Sequence, residues 1–159
     1  MVKEALFNAL APRLAGAHVL DLFAGAGGLG IEALSRGAAE AVFVEQEAAH
    51  CGAIRENLDA ARLRAQGMIR RANALTEVAA LAKAGRRFDV IVLDPPYGRG
   101  LQARALRLIA ASDILAPGGV VAAEGHWRDD PGEVAGLRRL REARYGETGL
   151  WFYEKEADA

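Results

Sequence analysis

The sequence predicts an α/β fold in which a mostly parallel sheet is covered by helices on both faces. Short β-branched and apolar runs alternate with longer segments of helical periodicity, and this alternation requires right-handed crossovers between parallel strands. The last two apolar runs are separated only by Gly-Glu-Thr-Gly at 146–149, which predicts a hairpin and therefore an antiparallel edge. With 159 residues, 52% of them apolar, the chain is expected to form a single domain over 1–159.

Each element has its own local signal. Period-2 or continuous apolar runs predict strands at 18–23, 40–45, 67–71, 88–94 and 118–124, followed by LREARY and LWFYEK. Helical spacing and end signals predict helices from Lys3 to Leu10, from Gly28 to Arg36 before Gly37, from Glu47 to about Arg64, from a Thr76 cap to Ala84, and from Leu101 to about Ser112. Asp130, with Pro131 and Glu133 after it, predicts one further helix N-terminus.

Composition narrows the classes of function. The formal charge is −1, from 20 basic and 21 acidic residues, so a nucleic acid would have to meet a local basic face. The single cysteine, Cys51, permits no internal disulfide, and the N-terminal sequence lacks the apolar core of a signal peptide, so a cytoplasmic location is expected. No apolar stretch approaches the roughly 20 residues that cross a bilayer, and His18, His50 and His126 lack metal-ligand spacing, so neither membrane nor metal is expected.

A glycine-rich loop follows the first predicted strand. Gly25, Gly27 and Gly30 match G-x-G-x-x-G, whose glycines allow a tight turn and close approach of a ligand to the backbone. Glu45 ends the second strand, where a ribose diol would arrive. Asp21 ends the first strand; its charge would repel a pyrophosphate but suits a ligand with an ammonium and a sulfonium, such as S-adenosylmethionine. Alternatively, Asp21 only ties down N–H groups of the loop.

The fourth predicted strand ends in Asp94-Pro95-Pro96-Tyr97. Consecutive prolines can neither continue a sheet ladder nor begin a helix after this acid, so the sequence predicts a stiff loop. The first and fourth strands are expected to meet where strand order reverses, which places this loop in the same crevice as the glycine loop. The Asp94 carboxylate and the Pro95 carbonyl would hold the two N–H groups of an exocyclic amine, while Tyr97 stacks on the base.

These residues resemble the signature (N/D)-P-P-(Y/F) of class I methyltransferases that alkylate exocyclic amino nitrogens. With VKEALFNAL, DLFAGAGGLGIEALSRGA, VFVEQ and RYGETGLWFYEK, the likeness to bacterial small-subunit rRNA guanine-N2 methyltransferases, the RsmD family, covers nearly the whole chain. The resemblance implies a Rossmann-like class I methyltransferase fold, a seven-stranded sheet of order 3-2-1-4-5-7-6, and S-adenosylmethionine as cofactor. It also implies methylation of the N2 amine of guanine 966 in 16S rRNA, in the 30S subunit. Separately, the protein is expected to be a monomer.

The resemblance further assigns roles by position. The cofactor-binding residues it implies are Asp21, Ala24, Gly25, Gly27, Glu45, Gln46, Asn73 and Ala74, the last two framing the adenine. The target guanine is expected to be held by Asp94, Pro95, Pro96 and Tyr97, with Arg99 and Lys3 as further substrate contacts. Other basic residues near the predicted crevice, Arg13 and Arg104, are interpreted as surface charges, and Trp127, Trp151 and Tyr153 as packing residues.

Four other classes of protein remain open on the residues alone. A DNA adenine methyltransferase also uses this motif, but it normally carries a separate recognition domain for which the chain leaves no room. A protein glutamine methyltransferase usually has Asn at the position of Asp94. A nicotinamide-dependent module, or a non-enzymatic adenosylmethionine-binding scaffold, would leave Asp94 and Tyr97 without a role.

Overall fold

The computed structural model describes residues 2–156 and contains one seven-stranded sheet. The strands are β1 (His18–Leu22), β2 (Glu40–Glu45), β3 (Gly67–Arg71), β4 (Phe88–Leu93), β5 (Leu115–His126), β6 (Leu137–Tyr145) and β7 (Thr148–Lys155). Their spatial order, β3-β2-β1-β4-β5-β7-β6, confirms the predicted order. Strands β1 to β5 pair in parallel, whereas β7 runs antiparallel to both β5 and β6, as the hairpin prediction requires.

Helices cover both faces of this sheet. They are α1 (Val2–Leu10), α2 (Gly28–Ser35), α3 (Ala48–Ala60), α4 (Ala74–Lys83) and α5 (Leu101–Ala110). The apolar sides of α1, α2 and α3 pack together on one face, and those of α4 and α5 pack on the other. Since both faces are covered, strands β1, β2 and β4 are buried almost throughout and appear in the sequence as mostly apolar runs, whereas the edge strand β3 is largely exposed. Among residues 2–156 no helix is long and apolar enough to span a bilayer.

The prediction of a helix that begins at Asp130 is wrong. Residues 130–136 form a loop that follows a 3₁₀ turn, Trp127–Asp129. The Asp130 carboxylate accepts a hydrogen bond from the Gly132 N–H at 2.7 Å, and Gly132 has a left-handed φ of +70°. Asp130 thus caps its own turn, and this local bond competes with a helix. The Tyr153 hydroxyl donates to the Gly132 carbonyl and holds the loop against the sheet.

Several predicted boundaries also move. Helix α4 begins at Ala74, because Asn73 rather than Thr76 is its N-cap. Helix α3 ends at Ala60, earlier than predicted, and Arg62 just beyond it has a positive φ of +60°. Strand β5 extends in both directions beyond 118–124, with an irregularity in its pairing with β4.

Candidate active site

A cleft of about 850 Å³ opens at the carboxyl ends of β1 to β4. The predicted site residues that line it are Gly25, Glu45, Gln46, Asn73, Ala74, Asp94, Pro95, Pro96, Tyr97 and Arg99. They come together because β1 pairs with β2 on one side and with β4 on the other, so the loops that leave these strands emerge side by side. The prediction that the glycine loop and the Asp94 loop share one crevice is confirmed.

The glycine loop turns sharply away from β1. Gly25 and Gly27 have φ angles of +56° and +87°, a region that glycine enters at little cost. A side chain at Gly30 would overlap the Phe43 ring on β2, so this position needs glycine for helix α2 to pack on the sheet. Phe23 also has a positive φ, +59°, and lines the cleft. Such a conformation in an aromatic residue is strained, and strain of this kind is concentrated at functional sites.

Asp21 lies behind the glycine loop rather than in the lining of the cleft. Its side chain is 1% exposed, and its Oδ2 atom accepts a hydrogen bond from the Gly30 N–H at 3.0 Å. Burial raises the pKa of Asp21 to about 8, the Gly30 bond opposes this rise, and the carboxylates of Asp94 and Glu45 add to it. The geometry therefore favours the alternative in which Asp21 ties down the loop backbone. Ala24 and Gly27 likewise shape the loop without lining the cleft.

Glu45 connects the end of β2 to the glycine loop. One carboxylate oxygen accepts from the Gly25 N–H at 2.9 Å, and the other accepts from the Glu47 N–H at 2.8 Å and contacts His50 Nδ1 at 3.4 Å. The residue is only 8% exposed but lines the cleft. Because a carboxylate offers about four acceptor sites, these contacts leave capacity for a ligand hydroxyl.

Asn73 lies at the cleft wall and caps α4 at the same time. Its Oδ1 atom accepts hydrogen bonds from the N–H groups of Leu75 at 2.9 Å and Thr76 at 3.4 Å. The side-chain oxygen predicted to face an adenine is thus engaged with backbone, while Asn73, Ala74 and Leu75 all line the cleft. Leu75 was not predicted as a site residue, and it offers an apolar surface there.

Asp94 is half-buried directly after β4, and Glu124 of β5 is its neighbour. Leu93 pairs with Ala123 in the parallel ladder, so the residues that follow, Asp94 and Glu124, lie side by side with their carboxyl groups in contact. Burial raises the pKa of Asp94, and the hydrogen bond with Glu124 opposes that rise. Burial and the adjacent Asp94 carboxylate raise the pKa of Glu124 to about 7. Glu124 was not predicted, because no local signal in the sequence gives the register of β4 against β5 that brings Glu124 beside Asp94.

Tyr97 is 56% exposed at the mouth of the cleft. Its ring meets His126 edge-on, with centroids 6.3 Å apart, and His126 stacks on Trp127. Burial and the carboxylates of Asp94 and Glu124 raise the pKa of Tyr97. Trp127 is partly buried and packs under the guanidinium of Arg144 on the edge strand β6, and Trp151 and Tyr153 are buried, so all three are packing residues as predicted.

The basic residues divide between the cleft and other surfaces. Arg99 and Arg104 line the cleft. Lys3 does not line it and forms an ion pair with Glu32 on α2, 3.5 Å away. Arg13 donates to the Gly118 carbonyl, near the opposite end of the sheet, so its predicted place near the crevice is wrong. Within residues 2–156, His, Cys, Asp and Glu side chains form no group of three or more that could hold a metal ion.

The fold and the cleft define a class I methyltransferase. The strand order and the antiparallel hairpin are those implied by the resemblance, and the solved structure of an Escherichia coli protein described as a candidate methyltransferase, YhhF, superposes with a TM-score of 0.88. That match is 32% identical and covers 99% of this chain and 87% of the other. The family model named Conserved hypothetical protein 95 matches residues 1–154, and the chain belongs to this family.

Named relatives agree with this membership. Ribosomal RNA small subunit methyltransferase D of Escherichia coli is 36% identical over 157 residues, which are 98% of this chain and 77% of that protein. The Thermus thermophilus 16S rRNA N2 G1207 methyltransferase, RsmC, solved in complex with AdoMet and guanosine, is 27% identical with a TM-score of 0.74. This match covers 97% of the present chain and 43% of that one. The resemblance to the RsmD family is confirmed.

Proposed function

We propose that the protein transfers a methyl group from S-adenosylmethionine to the exocyclic N2 amine of a guanine in 16S rRNA, in the assembled 30S subunit. One observation carries the proposal: the glycine loop and the Asp94 to Tyr97 motif line the same cleft. A cofactor held by the first loop therefore lies beside amine acceptors held by the second. The names of the relatives, which are small-subunit rRNA methyltransferases, support RNA as the substrate class.

The residues of the cleft fit S-adenosylmethionine. Glu45 would accept from the ribose hydroxyls, and the bare backbone at Gly25 lets a ligand approach closely. Asn73, Ala74 and Leu75 would border the adenine. When bound, the cofactor supplies a methyl carbon attached to a positively charged sulfur.

The Asp94 loop would orient the acceptor. A guanine amine is a weak nucleophile because its lone pair is delocalised into the ring. The Asp94 carboxylate and the Pro95 carbonyl would accept its two N–H groups and turn the lone pair toward the methyl carbon, and Tyr97 would stack on the ring. As a new N–C bond formed and the S–C bond broke, the nitrogen would become positively charged and would have to lose a proton. The Asp94 carboxylate, whose pKa is raised by burial, is placed to accept it.

The proposal is tested by following tritium from labelled adenosylmethionine into 30S subunits, naked 16S rRNA and DNA, with ribosomal material from cells that lack a homologous enzyme. We expect label in guanine of the 30S sample. Label in naked rRNA alone would contradict the requirement for an assembled particle, and label in DNA adenine would favour the DNA alternative. Label in none of the three would overturn the proposal.

The residue roles are tested with Asp94→Ala. We expect loss of methyl transfer by at least about a hundredfold, while the dissociation constant for adenosylmethionine stays within a few-fold, because Asp94 holds the amine rather than the cofactor. Asp59→Ala, which removes an exposed acid on α3, is the matched control and should retain full activity. A parallel loss of cofactor binding in Asp94→Ala would assign Asp94 to the cofactor instead.

A further inference from the structure

The carboxyl group of Glu124 lies beside the Asp94 motif, although Glu124 is not among the residues that line the cleft. It lies at the carboxyl end of β5, in contact with Asp94 on the neighbouring strand. The backbone is fixed at this point, since the Glu124 carbonyl accepts a hydrogen bond from the buried Gln102 side chain at 3.2 Å. The Tyr97 ring lies on the same side, close enough for Glu124 to influence its ionisation.

Sheet order decides which part of a bound base Glu124 would face. The residues proposed for the cofactor come from the ends of β1, β2 and β3, all on one side of β4. Strand β5 lies on the other side of β4. A reactive amine held at Asp94 must point toward the cofactor, so the ring that carries this amine extends toward β5 and Glu124.

We infer that Glu124 accepts a hydrogen bond from the N1–H of the target guanine and selects guanine among purines. This inference rests on the proposed function. In guanine the N1–H donor is next to the C2 amine, so acceptors at Asp94 and Glu124 would match two adjacent donors on one base edge. An adenine has an unprotonated N1 that would direct its lone pair at the Glu124 carboxylate.

The contact would make the site selective for guanine and would take no direct part in methyl transfer. A site built to accept a substrate N–H rejects an analogue that lacks it, because its buried acceptor is then left without a partner. Glu124 thus complements Pro95 and Asp94, which would bind the amine of any aminopurine. No covalent step is assigned to it.

The test compares guanosine with 2-aminopurine riboside, which keeps the C2 amine but has a lone pair at N1. Both are measured at pH 8, where Glu124 with its pKa of about 7 is mostly ionised, on the full chain saturated with S-adenosylhomocysteine, by quenching of 2-aminopurine fluorescence and by displacement with guanosine. We expect the unaltered protein to favour guanosine by about tenfold or more, the effect of one hydrogen bond to a charged group. Equal affinity for the two nucleosides, or binding of neither, overturns the inference.

The variant Glu124→Gln tests the preference for guanosine over 2-aminopurine riboside, which would not change if Glu124 had only a structural role. The amide has the same shape but can turn its NH₂ toward an unprotonated N1, so we expect the preference for guanosine to fall by about tenfold, with tighter binding of 2-aminopurine riboside. Glu124→Ala should weaken guanosine alone, whereas a collapsed site would weaken both nucleosides. Glu133→Gln, at an exposed loop position, is the matched control and should keep the original ratio.

An unchanged ratio in Glu124→Gln, with adenosylmethionine binding intact, overturns the inference and leaves the proposed function standing. The outcome of the tritium experiment on 30S subunits does not depend on these nucleoside affinities, so either test can fail while the other succeeds. Failure of the proposed function is therefore distinguished from failure of the role given to Glu124.

Discussion

The buried side chain of Asp21 holds the glycine loop in place, but its ionisation lowers the stability of the fold. Its carboxyl group is buried and accepts the Gly30 N–H, which anchors the start of α2 against β1. Ionising this group inside the protein is unfavourable, and its pKa rises from an ordinary 3.8 to about 8. The folded state therefore binds the Asp21 proton more tightly than the unfolded state does.

The sign of this linkage gives a prediction. The contribution of Asp21 to the free energy of unfolding is largest below about pH 4 and falls as pH rises to about 8. Asp21→Asn keeps an oxygen acceptor for the Gly30 N–H but cannot ionise, so its stability relative to the unaltered protein should increase by at least about 1 kcal/mol between pH 5 and pH 8. Urea denaturation at the two pH values measures this difference. The exposed Asp59→Asn should show no such trend, and a pH-independent difference for Asp21→Asn would contradict the burial argument.

In helix α4, the residue that caps the N-terminus also lies at the wall of the cleft. The Thr76 hydroxyl donates back to the Asn73 carbonyl, whereas the Asn73 side chain accepts from two N–H groups of the first turn. Asn73 is thereby the N-cap, and its position fixes where Ala74 and Leu75 meet the cleft.

We expect Asn73→Ala to lower the free energy of unfolding by about 1 kcal/mol, because two backbone donors lose their acceptor. Urea denaturation measures this loss, and Asn73→Asp, which restores a capping oxygen, should recover most of it. Titration with adenosylmethionine then separates the two roles of the residue. Weakened cofactor binding in Asn73→Ala but not in Asn73→Asp would assign the effect to the cap, and equal weakening in both would assign it to contact with the ligand.

The whole molecule is built on one sheet with an apolar cluster on each face. Strands β1, β2 and β4 contribute side chains alternately to the two clusters, so neither cluster forms without the same strands. The two clusters are therefore expected to unfold together, as in a single cooperative domain.

This expectation is tested with the two tryptophans of the chain. In a Trp127→Phe variant the remaining Trp151, 3% exposed on β7, reports on one cluster, while far-UV circular dichroism reports on all elements. The fluorescence and dichroism transitions in urea should coincide, with one m-value of roughly 1–3 kcal/mol/M. Separate midpoints would show that the C-terminal hairpin, or one face, unfolds on its own.

Much of the site was predictable because its signals are local. The glycine loop, Glu45 and the Asp94 motif each follow a strand that is evident from its apolar run, and parallel strands bring such ends to one edge. Positions that depend on partners in other elements were harder to predict from the sequence. Asp130 resembled a helix start, yet its carboxylate accepts a hydrogen bond from Arg139 on β6, and together with the local bond from the Gly132 N–H this keeps it in a loop.

The sequence by itself determined the element order, the parallel sheet with its antiparallel edge, and the glycine loop, Glu45 and the Asp94 motif as parts of the cleft, because periodicity and turn chemistry are properties of short segments. Only the tertiary structure decided that Asp21 lies behind the loop, that Lys3 pairs with Glu32, and that Glu124 meets Asp94. Each of these depends on which strands and helices become neighbours. That choice is made by burial of both faces of the sheet, a property of the whole chain.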